Sequence, residues 1–378
     1  MCRKMIGNNS KEPLLTVVVP VYNGEKYIKN TIDTILNSKY SNLELLLVDD
    51  GSTDESGTIC QSYRKDDERV CYVKTENLGI VEARNKGLEL ANGEYICFCD
   101  QDDIVEPFMY REILEKMFSE SAQMGMCSTG KMMDGKKSIY EKLENGVYKE
   151  EEVLEYLLFP LLFRGFDYSF VKNNNYLYGT IWKCIFNRSF LTEQQIKFRS
   201  FVNFEDDWLF VTETLAAANK VITVSNAGYY WRINRNSKSH KPQFIPDMMQ
   251  RFEKMDEYVF RYLEKRKITN DILKEYKKAA MCEHYAEGYK NALWSGKYKR
   301  KYKIELREYL LKTNYKTNLT CAKKLKSSAF RRKMLYTSLG CIGIKGTFVV
   351  NRILVWMEEN AGKIQWVTAL ERKSKMKA

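Results

Sequence analysis

The first hundred residues alternate between short apolar runs and longer stretches whose apolar residues recur at helical spacing. Short apolar runs that end in turn residues are typical of buried strands, and apolar residues three or four positions apart are typical of amphipathic helices. The alternation predicts a parallel sheet with right-handed helical crossovers on both faces. The predicted strands are Leu14–Val21, Leu43–Val48, Val70–Lys74 and Tyr95–Cys99, and the predicted helices are Glu25–Leu36, Thr53–Lys65 (N-capped by Ser52 or Thr53) and Gly79–Ala91.

The pattern is less regular after Val105 and becomes helical after Pro246. We therefore predict an α/β fold with a mostly parallel sheet and a C-terminal helical region. The predicted parts are an N-terminal tail of residues 1–13, a catalytic domain of residues 14–240 and a helical, basic region of residues 241–378. Further strands are predicted at Met124–Met132, Lys183–Phe190, Lys220–Val224 and Ala227–Arg232, and helices at Phe204–Ala217, Met248–Leu263 and Ile272–Trp294.

Charge is distributed unevenly along the 378 residues, whose net charge is +12. Residues 297–378 contain 21 Lys and Arg against 5 Asp and Glu, a net charge of +16, so residues 1–296 carry −4. Such a tail indicates an anionic partner: a membrane surface, a nucleic acid or an acidic protein. Ala329–Glu359 mixes basic and large apolar residues, as helices on anionic membranes do. Packing of this segment on the catalytic domain or on a second subunit, as in a homo-oligomer, is the alternative.

The ten cysteines are scattered and lack the spacing of a zinc site, so we expect buried free thiols in a reducing compartment. The segment Met1–Pro13 has no apolar core of a leader peptide, and no run reaches the roughly 18 apolar residues of a membrane span. These features predict a cytoplasmic protein, with a peripheral position at the inner face of the cell membrane if the basic tail binds lipid.

Polar clusters follow three of the predicted strands: Tyr22-Asn23, Asp49-Asp50 and Asp100–Asp103. Ligands of parallel sheets bind at the carboxyl ends of the strands, where these clusters should meet. Asp100 and Asp102 suit a hard cation, Mn²⁺ or Mg²⁺, that also binds phosphate, although an acidic turn without a ligand has the same sequence. Asp49-Asp50 suits hydrogen bonds from a base or ribose, or a turn with Gly51. No Gly-rich phosphate loop follows the first strand, which argues against a dinucleotide oxidoreductase or a P-loop enzyme.

Three further features are candidates for chemistry. Glu205-Asp206-Asp207 either supplies a general base or is the acidic start of a helix. Arg84 either binds a diphosphate, holds a carboxylate of the site or is a surface charge. His240 is a candidate metal ligand, whereas His284 is expected to be structural.

Four motifs together resemble glycosyltransferase family 2, the inverting enzymes of the GT-A fold. They are Val17–Asn23, Leu47–Asp54, Asn77-Leu78-Gly79 with Ala83-Arg84-Asn85, and Gly93–Asp103, within a resemblance that runs from about Leu14 to Ser239. The resemblance implies a nucleotide-sugar site and a metal. The implied donor-binding residues are Pro20, Val21, Tyr22, Asn23, Asp49, Asp50, Asn77, Arg84, Asp100 and Gln101, and the implied metal ligands are Asp100 and Asp102, with His240 as a further candidate.

The resemblance also implies a general base, which in this family is the Asp of a Glu-Asp pair ahead of a Phe. Alignment on Glu205 makes Asp206 the base, and alignment on Phe210 makes it Asp207; we favour Asp206. The segment Tyr229–Arg232 resembles the one that closes the site, from which Arg232 or Arg235 would reach the diphosphate. A departure occurs at Cys184, where the family usually has Lys, so the role of that Lys is in doubt.

The predicted function is transfer of a hexose or N-acetylhexosamine from a nucleotide-diphosphate sugar, with UDP the usual nucleotide of the family. The acceptor would be a hydroxyl of a glycan or a lipid-linked molecule in cell-surface polysaccharide synthesis. A sugar nucleotidyltransferase is the alternative, although it would usually carry a Gly-rich loop near the first strand. Nucleic-acid binding through the tail is a remote alternative, because no stacking motif or helix-turn-helix accompanies the charge.

Overall fold

The four strands predicted at the start of the chain form the parallel part of a ten-stranded sheet in a computed structural model. The structure describes residues 12–172, 177–202, 205–233, 244–325 and 330–359; His240 and Arg235 lie outside these ranges. Each strand agrees with its predicted bounds to within one residue at each end. They are β1 (Leu15–Val21), β2 (Leu43–Asp49), β3 (Val70–Lys74) and β4 (Tyr95–Phe98), in the spatial order β3-β2-β1-β4.

Beyond β4 the sheet is mixed and continues in the order β9-β6-β10-β5. Strand β9 is antiparallel to both β4 and β6, β6 and β10 are parallel, and β5 is antiparallel to β10. Two short strands are added antiparallel, β7 to β6 and β8 to β10. The strands are β5 (Ile104–Val105), β6 (Met124–Met133), β7 (Lys136–Glu141), β8 (Gly146–Lys149), β9 (Cys184–Asn187) and β10 (Lys220–Arg232).

Two predicted strand segments differ from the structure. The strand predicted over Lys183–Phe190 ends at Asn187, because the Asn187 side chain accepts a hydrogen bond from the Phe190 amide and begins a helix. The two strands predicted on either side of residue 225 are one strand, β10, with an irregular register around Ala227. The bulge explains the interruption of the apolar pattern there.

The helices of the first part of the chain surround this sheet. Their order agrees with the prediction, but the starts of the first two lie three residues later than predicted, for reasons given below. They are α1 (Ile28–Leu36), α2 (Ser56–Asp66), α3 (Ile80–Leu90), α4 (Met109–Glu120), α5 (Glu151–Val153), a π-helical turn (Leu154–Leu158), α6 (Phe159–Leu162), α7 (Arg188–Glu193) and α8 (Asp206–Ala217).

Helix α3 packs closely on β1 at Gly87. A Cβ at this position would lie 2.3 Å from Cγ1 and 3.0 Å from Cγ2 of Val18, which is fully buried. We expect Gly87→Ala to lower the free energy of unfolding by about 1–2 kcal/mol, because overpacking outweighs the better helix propensity of Ala. Urea unfolding would measure this, with Lys86→Ala on the exposed side of the same helix as the control. An unchanged midpoint for Gly87→Ala would contradict the close packing.

The chain separates into two units, one of residues 1–161 and 175–237 and one of residues 162–174 and 238–378. Residues 162–172, which the sequence analysis placed in the catalytic domain, belong to the second unit. There the Asp167 amide donates to the Lys324 carbonyl (2.5 Å), and the Tyr168 hydroxyl donates to Glu275 (3.1 Å). The helices of the second unit are α9 (Met248–Lys265), α10 (Asn270–Asn291), α11 (Lys299–Lys312), α12 (Tyr315–Asn318), α13 (Phe330–Cys341) and α14 (Gly343–Glu359), with 3₁₀ turns at Gly296–Tyr298 and Leu319–Lys324.

Within the described ranges, no helix has both the length and the apolar character needed to cross a bilayer. The described cysteines are free thiols and are buried, except Cys341, which is exposed. His284 is buried in the second unit, where it stacks on Phe252 with ring centroids 3.9 Å apart. Burial lowers its pKa to about 3. His284 is therefore a neutral core residue, as the sequence analysis expected.

Candidate active site

The loops that follow β1 and β2 are tied together by reciprocal hydrogen bonds. The Asn23 amide donates to Ser52 Oγ (3.1 Å), and Asn23 Oδ1 accepts from the Thr53 amide (2.9 Å). Because the Ser52 hydroxyl is used here, neither Ser52 nor Thr53 caps α2, and that prediction was wrong. The helix begins at Ser56, whose amide donates to Asp54 Oδ1 (3.0 Å).

Asp49 was predicted to contact the nucleotide, but its side chain is fully buried. Oδ1 accepts from the Ser52 amide (2.8 Å) and Oδ2 accepts from the Tyr72 hydroxyl (2.6 Å). Both carboxylate oxygens therefore stabilise the turn between β2 and α2. The structure favours the turn interpretation for Asp49 over a contact with a ligand.

Asp50 fixes the loop that leads into α3. Its two carboxylate oxygens accept hydrogen bonds from the amides of Leu78 (2.9 Å) and Gly79 (2.8 Å), and Gly79 has a φ of 95°, which favours glycine. Asn77 is exposed on the same loop. The Asp50 carboxylate thus joins the end of β2 to the loop that carries Asn77 and begins the helix of Arg84.

The end of β1 is held against the loop after β4 by Gln101. Its side-chain amide accepts from the Tyr22 amide and donates to the Tyr22 carbonyl, both at 2.9 Å. This approach requires Gly24, because a Cβ there would lie 2.2 Å from Gln101 Oε1. Strands β1 and β4 pair only as far as Val18. Pro20, two residues further along β1, has no N–H group to donate to a neighbouring strand. Pro20 and Val21 are buried, with Val21 fully inaccessible to solvent, whereas Asn23 is exposed and Tyr22 partly so.

The acidic turn after β4 is braced by a tyrosine and an arginine of β10. The Tyr229 hydroxyl donates to Asp103 Oδ2 (2.7 Å) and accepts from the Asp100 amide (3.1 Å), and the Arg232 amide donates to Asp103 Oδ1 (2.8 Å). Arg232 Nε donates to the Asp102 carbonyl (2.7 Å). Asp103 is therefore a buried support for the turn, which leaves Asp100 and Asp102 at the surface of the site.

Burial and neighbouring carboxylates raise the pKa of Asp102 and of Asp103. Burial and then the charge of Asp100 raise the pKa of Asp102 to about 6, against the lowering effect of Arg232. Burial, Asp100 and Asp102 together raise the pKa of Asp103 well above its usual value. The turn therefore concentrates negative charge, which a bound cation would relieve.

Arg84 joins the acidic turn to the start of α8. Its Nη1 lies 2.5 Å from Asp206 Oδ2 and 2.7 Å from Asp207 Oδ1, and its Nη2 lies 3.3 Å from Asp100 Oδ1. The residue is only 3% exposed. Burial lowers its pKa, but the charges of Asp207, Asp100 and Asp206 outweigh this effect and raise the pKa above its usual value. Of the roles considered for Arg84, the geometry favours holding the carboxylates of the site.

Asp206 and Asp207 differ in accessibility, with side chains 11% and 23% exposed. Burial and the charges of Asp206 and Asp100 together raise the pKa of Asp207 to about 7. The charge of Arg84 and a hydrogen bond from the Ile181 backbone act in the opposite direction. Glu205 precedes α8, where its carbonyl accepts from the Leu209 amide (2.9 Å). The three acids predicted as a catalytic cluster thus separate into a helix-start residue and a pair on Arg84.

This geometry agrees with the comparison to known families. Residues 16–192 match the model described as Glycosyl transferase family 2. Residues 16–192, a little under half of the chain, form a glycosyl transferase family 2 domain. The family resemblance stated from the sequence is thereby confirmed, and the protein is a glycosyltransferase rather than the nucleotidyltransferase considered as the alternative. The matched segment contains the loops of Tyr22, Asp50, Arg84 and Asp100, whereas Asp206 and Asp207 lie beyond it.

Two curated relatives show the extent of the sequence similarity. The glycosyltransferase is 29% identical over 244 residues to the uncharacterized glycosyltransferase EpsJ of Bacillus subtilis (strain 168), an alignment that covers 64% of this chain and 67% of EpsJ. It is 28% identical over 225 residues to the glycosyltransferase GlyA of Streptococcus pneumoniae serotype 4, which covers 60% of this chain and 31% of GlyA. The chain therefore spans about a third of GlyA.

A solved structure resembles this glycosyltransferase over most of its length. Residues 1–349 of S. aureus TarS, in complex with UDP-GlcNAc, superpose with a TM-score of 0.62 at 16% identity, and the match covers 89% of this chain and 90% of that one. The likeness confirms the predicted GT-A fold with a helical C-terminal region.

Two features of the glycosyltransferase site could not be found from the sequence. Tyr229 lies in the segment that resembles the one closing the site, but its hydrogen bond to Asp103, 126 residues earlier in the chain, has no signal in the sequence. Lys183 is fully buried and pairs with Glu141 (2.6 Å) beside the position where the family motif departs. Cys184 at that position is a buried thiol, so the buried cation of this segment is Lys183.

Proposed function

We propose that this glycosyltransferase transfers a hexose or N-acetylhexosamine from a UDP-sugar to a hydroxyl of a glycan or lipid-linked acceptor, with inversion at the anomeric carbon. The observation that supports this best is the bridge from Arg84 to both Asp100 and the Asp206–Asp207 pair. This bridge supports the proposal because a general base on α8 would then act next to a turn that would hold the diphosphate and its cation. The TarS complex selects UDP-GlcNAc as the first donor to test. The destination in cell-surface polysaccharide rests on the family resemblance.

In the proposed reaction Asp207 takes the proton of the acceptor hydroxyl. The oxygen then forms a bond to the anomeric carbon on the face opposite the diphosphate, which leaves with the electrons of the broken bond. Asp207 is preferred to Asp206, which the sequence alone favoured, because its side chain is more exposed and its pKa of about 7 suits proton transfer near neutral pH. Arg84 keeps the Asp207 carboxylate in position.

The acidic turn fits a divalent cation. Asp100 and Asp102 offer hard oxygen ligands, and burial together with the charge of Asp100 raises the pKa of Asp102. Across the described ranges, no group of three or more His, Cys, Asp or Glu side chains is arranged to hold a metal. Mg²⁺ and Mn²⁺ commonly take their remaining ligands from water and phosphate, so two carboxylates are enough. A bound ion would neutralise charge on the departing diphosphate.

Calorimetric titration with UDP-GlcNAc and UDP, in Mn²⁺ and in EDTA, tests this function. We expect Mn²⁺ to tighten nucleotide binding about tenfold or more, and Asp102→Asn to remove that gain. Asp134→Asn, in the exposed turn between β6 and β7, is the matched control. Equal affinity in Mn²⁺ and EDTA would contradict the metal site. A failure to bind any nucleotide sugar under either condition would contradict the proposed function.

Three aromatic rings form a cluster, and two of them lie close along the chain to residues of the site. The Tyr140 ring lies 4.8 Å from the Tyr178 ring and 6.0 Å from the Trp231 ring, and all three residues are partly exposed. Trp231 precedes Arg232, which contacts the acidic turn, and Tyr178 lies three residues before Ile181, which contacts Asp207. Aromatic faces carry partial negative charge that attracts the polarised C–H bonds of a sugar ring. We propose that these rings contact the acceptor.

The pKa of Asp207 predicts a pH dependence of transfer. A protonated carboxyl cannot take the acceptor proton, and burial raises this pKa to about 7. We expect kcat/KM to fall about tenfold for each pH unit below about 7 and to level off above it. Initial rates between about pH 5 and 9 would show this, with nucleotide affinity measured over the same range as the control. A flat profile at acidic pH would count against Asp207 as the base.

A further inference from the structure

Helix α14 buries two polar side chains against the rest of the second unit and exposes large apolar side chains to solvent. Thr347, Asn351 and Leu354 are buried, and the first two are fully inaccessible to solvent. Val349 and Trp356 are 63% and 56% exposed. Amphipathic helices of water-soluble folds usually have the opposite arrangement.

Specific contacts hold α14 in this orientation. Asn351 Nδ2 donates to the Tyr289 carbonyl (2.9 Å), and the Tyr289 hydroxyl donates to the Ile344 carbonyl (3.1 Å). The Phe348 ring packs on the Tyr289 ring with centroids 4.8 Å apart. Rotation of the helix to bury its apolar side would leave the Asn351 amide without these partners in the core, which is costly.

The exposed side also carries positive charge. We define the outer face as the exposed residues Ile342, Lys345, Val349, Arg352, Ile353 and Trp356. Lys345, Val349, Arg352 and Trp356 are separated by three or four residues, and so is Ile353 from Val349 and Trp356, so these positions lie on one side of α14; Ile342 directly precedes the helix. The sequence contains no Asp or Glu between Glu308 and Glu358, whereas it has ten Lys and Arg in that interval. The face is therefore apolar and basic.

We propose that the outer face binds the surface of an anionic lipid bilayer, with Val349, Ile353 and Trp356 in the interface and Lys345 and Arg352 at the headgroups. Interleaved apolar and basic side chains match a surface that offers both hydrocarbon and negative charge. A second copy of the chain fits less well, because a twofold contact would gather Lys345 and Arg352 of both copies in one interface, where like charges repel. The inference is independent of the proposed reaction, since lipid binding requires no donor.

Co-sedimentation of the full chain with vesicles tests the proposal. We expect strong binding to phosphatidylcholine vesicles that contain about 30% phosphatidylglycerol and at least about tenfold weaker binding to pure phosphatidylcholine. Binding to the anionic vesicles should weaken when NaCl is raised from about 50 mM to about 500 mM, because salt screens surface charge. Equal binding to both vesicles, or none to either, would overturn the proposal.

Two double variants separate the apolar contribution to lipid binding from the electrostatic one. Ile353→Ser with Trp356→Ser, and separately Lys345→Gln with Arg352→Gln, should each reduce the partition coefficient about tenfold or more. The matched control is Ile304→Ser with Leu311→Ser, which removes two exposed apolar residues of α11 in the same unit. All variants change exposed side chains, so circular dichroism and hydrolysis of the donor should stay at wild-type values. Control variants that lose binding as fully as the outer-face variants would overturn the assignment of this face.

A probe on Cys341 gives a direct readout, because this exposed thiol ends α13 next to Ile342. In a Cys2→Ser background, an environment-sensitive fluorophore on Cys341 should brighten on anionic vesicles and remain unchanged on neutral ones. Light scattering after chromatography measures oligomeric state in parallel. If the outer-face variants convert an oligomer to a monomer while vesicle binding is unchanged, the face is a subunit contact and the lipid proposal is wrong.

Discussion

Asp207→Asn is expected to lower the rate of sugar transfer about 10²- to 10⁴-fold, the usual contribution of a general base. An amide has the size of the carboxylate but cannot take the acceptor proton. Nucleotide binding should be retained, because Asp207 contacts Arg84 and the Ile181 backbone rather than the acidic turn itself. Single-turnover rates at saturating donor, together with calorimetric affinity for UDP, would separate the two effects.

The variant Asp206→Asn shows which of the two neighbouring aspartates is the general base. Asp206→Asn should reduce the rate less, because its less exposed side chain mainly balances the charge of Arg84 (2.5 Å). Asp271→Asn, at a fully exposed position of α10, controls for the loss of one negative charge. If Asp206→Asn proves the more damaging change, the base is Asp206, and the preference drawn from exposure and pKa is wrong.

Arg84→Met is expected to lower the free energy of unfolding by about 3–5 kcal/mol and to abolish transfer. Removal of one partner of a buried ion pair leaves uncompensated charge, and here three carboxylates share one guanidinium. In the variant the carboxyl groups would have raised pKa values in the folded state. The folded state would then bind more protons than the unfolded chain, so stability should rise as pH falls toward about 5. Urea unfolding at several pH values would measure both effects.

The same helix provides the control for Arg84. Lys86 pairs with Glu89 at 3.0 Å, but both side chains are exposed. Lys86→Met should therefore change the free energy of unfolding by no more than about 1 kcal/mol, with little dependence on pH. An Arg84→Met protein as stable as Lys86→Met would show that the carboxylates are not held as the structure indicates.

The parallel half of the sheet and its order could be predicted because such strands are covered on both faces. Every residue of β1 and β2 is buried, so each strand appears as a nearly continuous apolar run, interrupted by Thr16 in β1 and by Glu44 in β2. The helix starts were less accurate, because Asn23, Ser52 and Asp54 form hydrogen bonds across two loops that are 29 or more residues apart. Local capping patterns contain no information about such contacts.

The sequence by itself determined the family, the parallel strands and the three strand-end loops that form the site, because burial and chain direction depend on local pattern. Only the tertiary structure decided which acidic side chains hold the backbone of the site and which remain accessible to solvent. Asp49 and Asp103 are turned inward, Asp100 and Asp207 meet at Arg84, and α14 presents its apolar side outward. Asp103 and Asp207 depend on partners more than a hundred residues away, Asp49 on Tyr72 of the neighbouring strand, and α14 on how the helix is rotated against its neighbours. Spacing along the chain cannot encode these contacts without the fold.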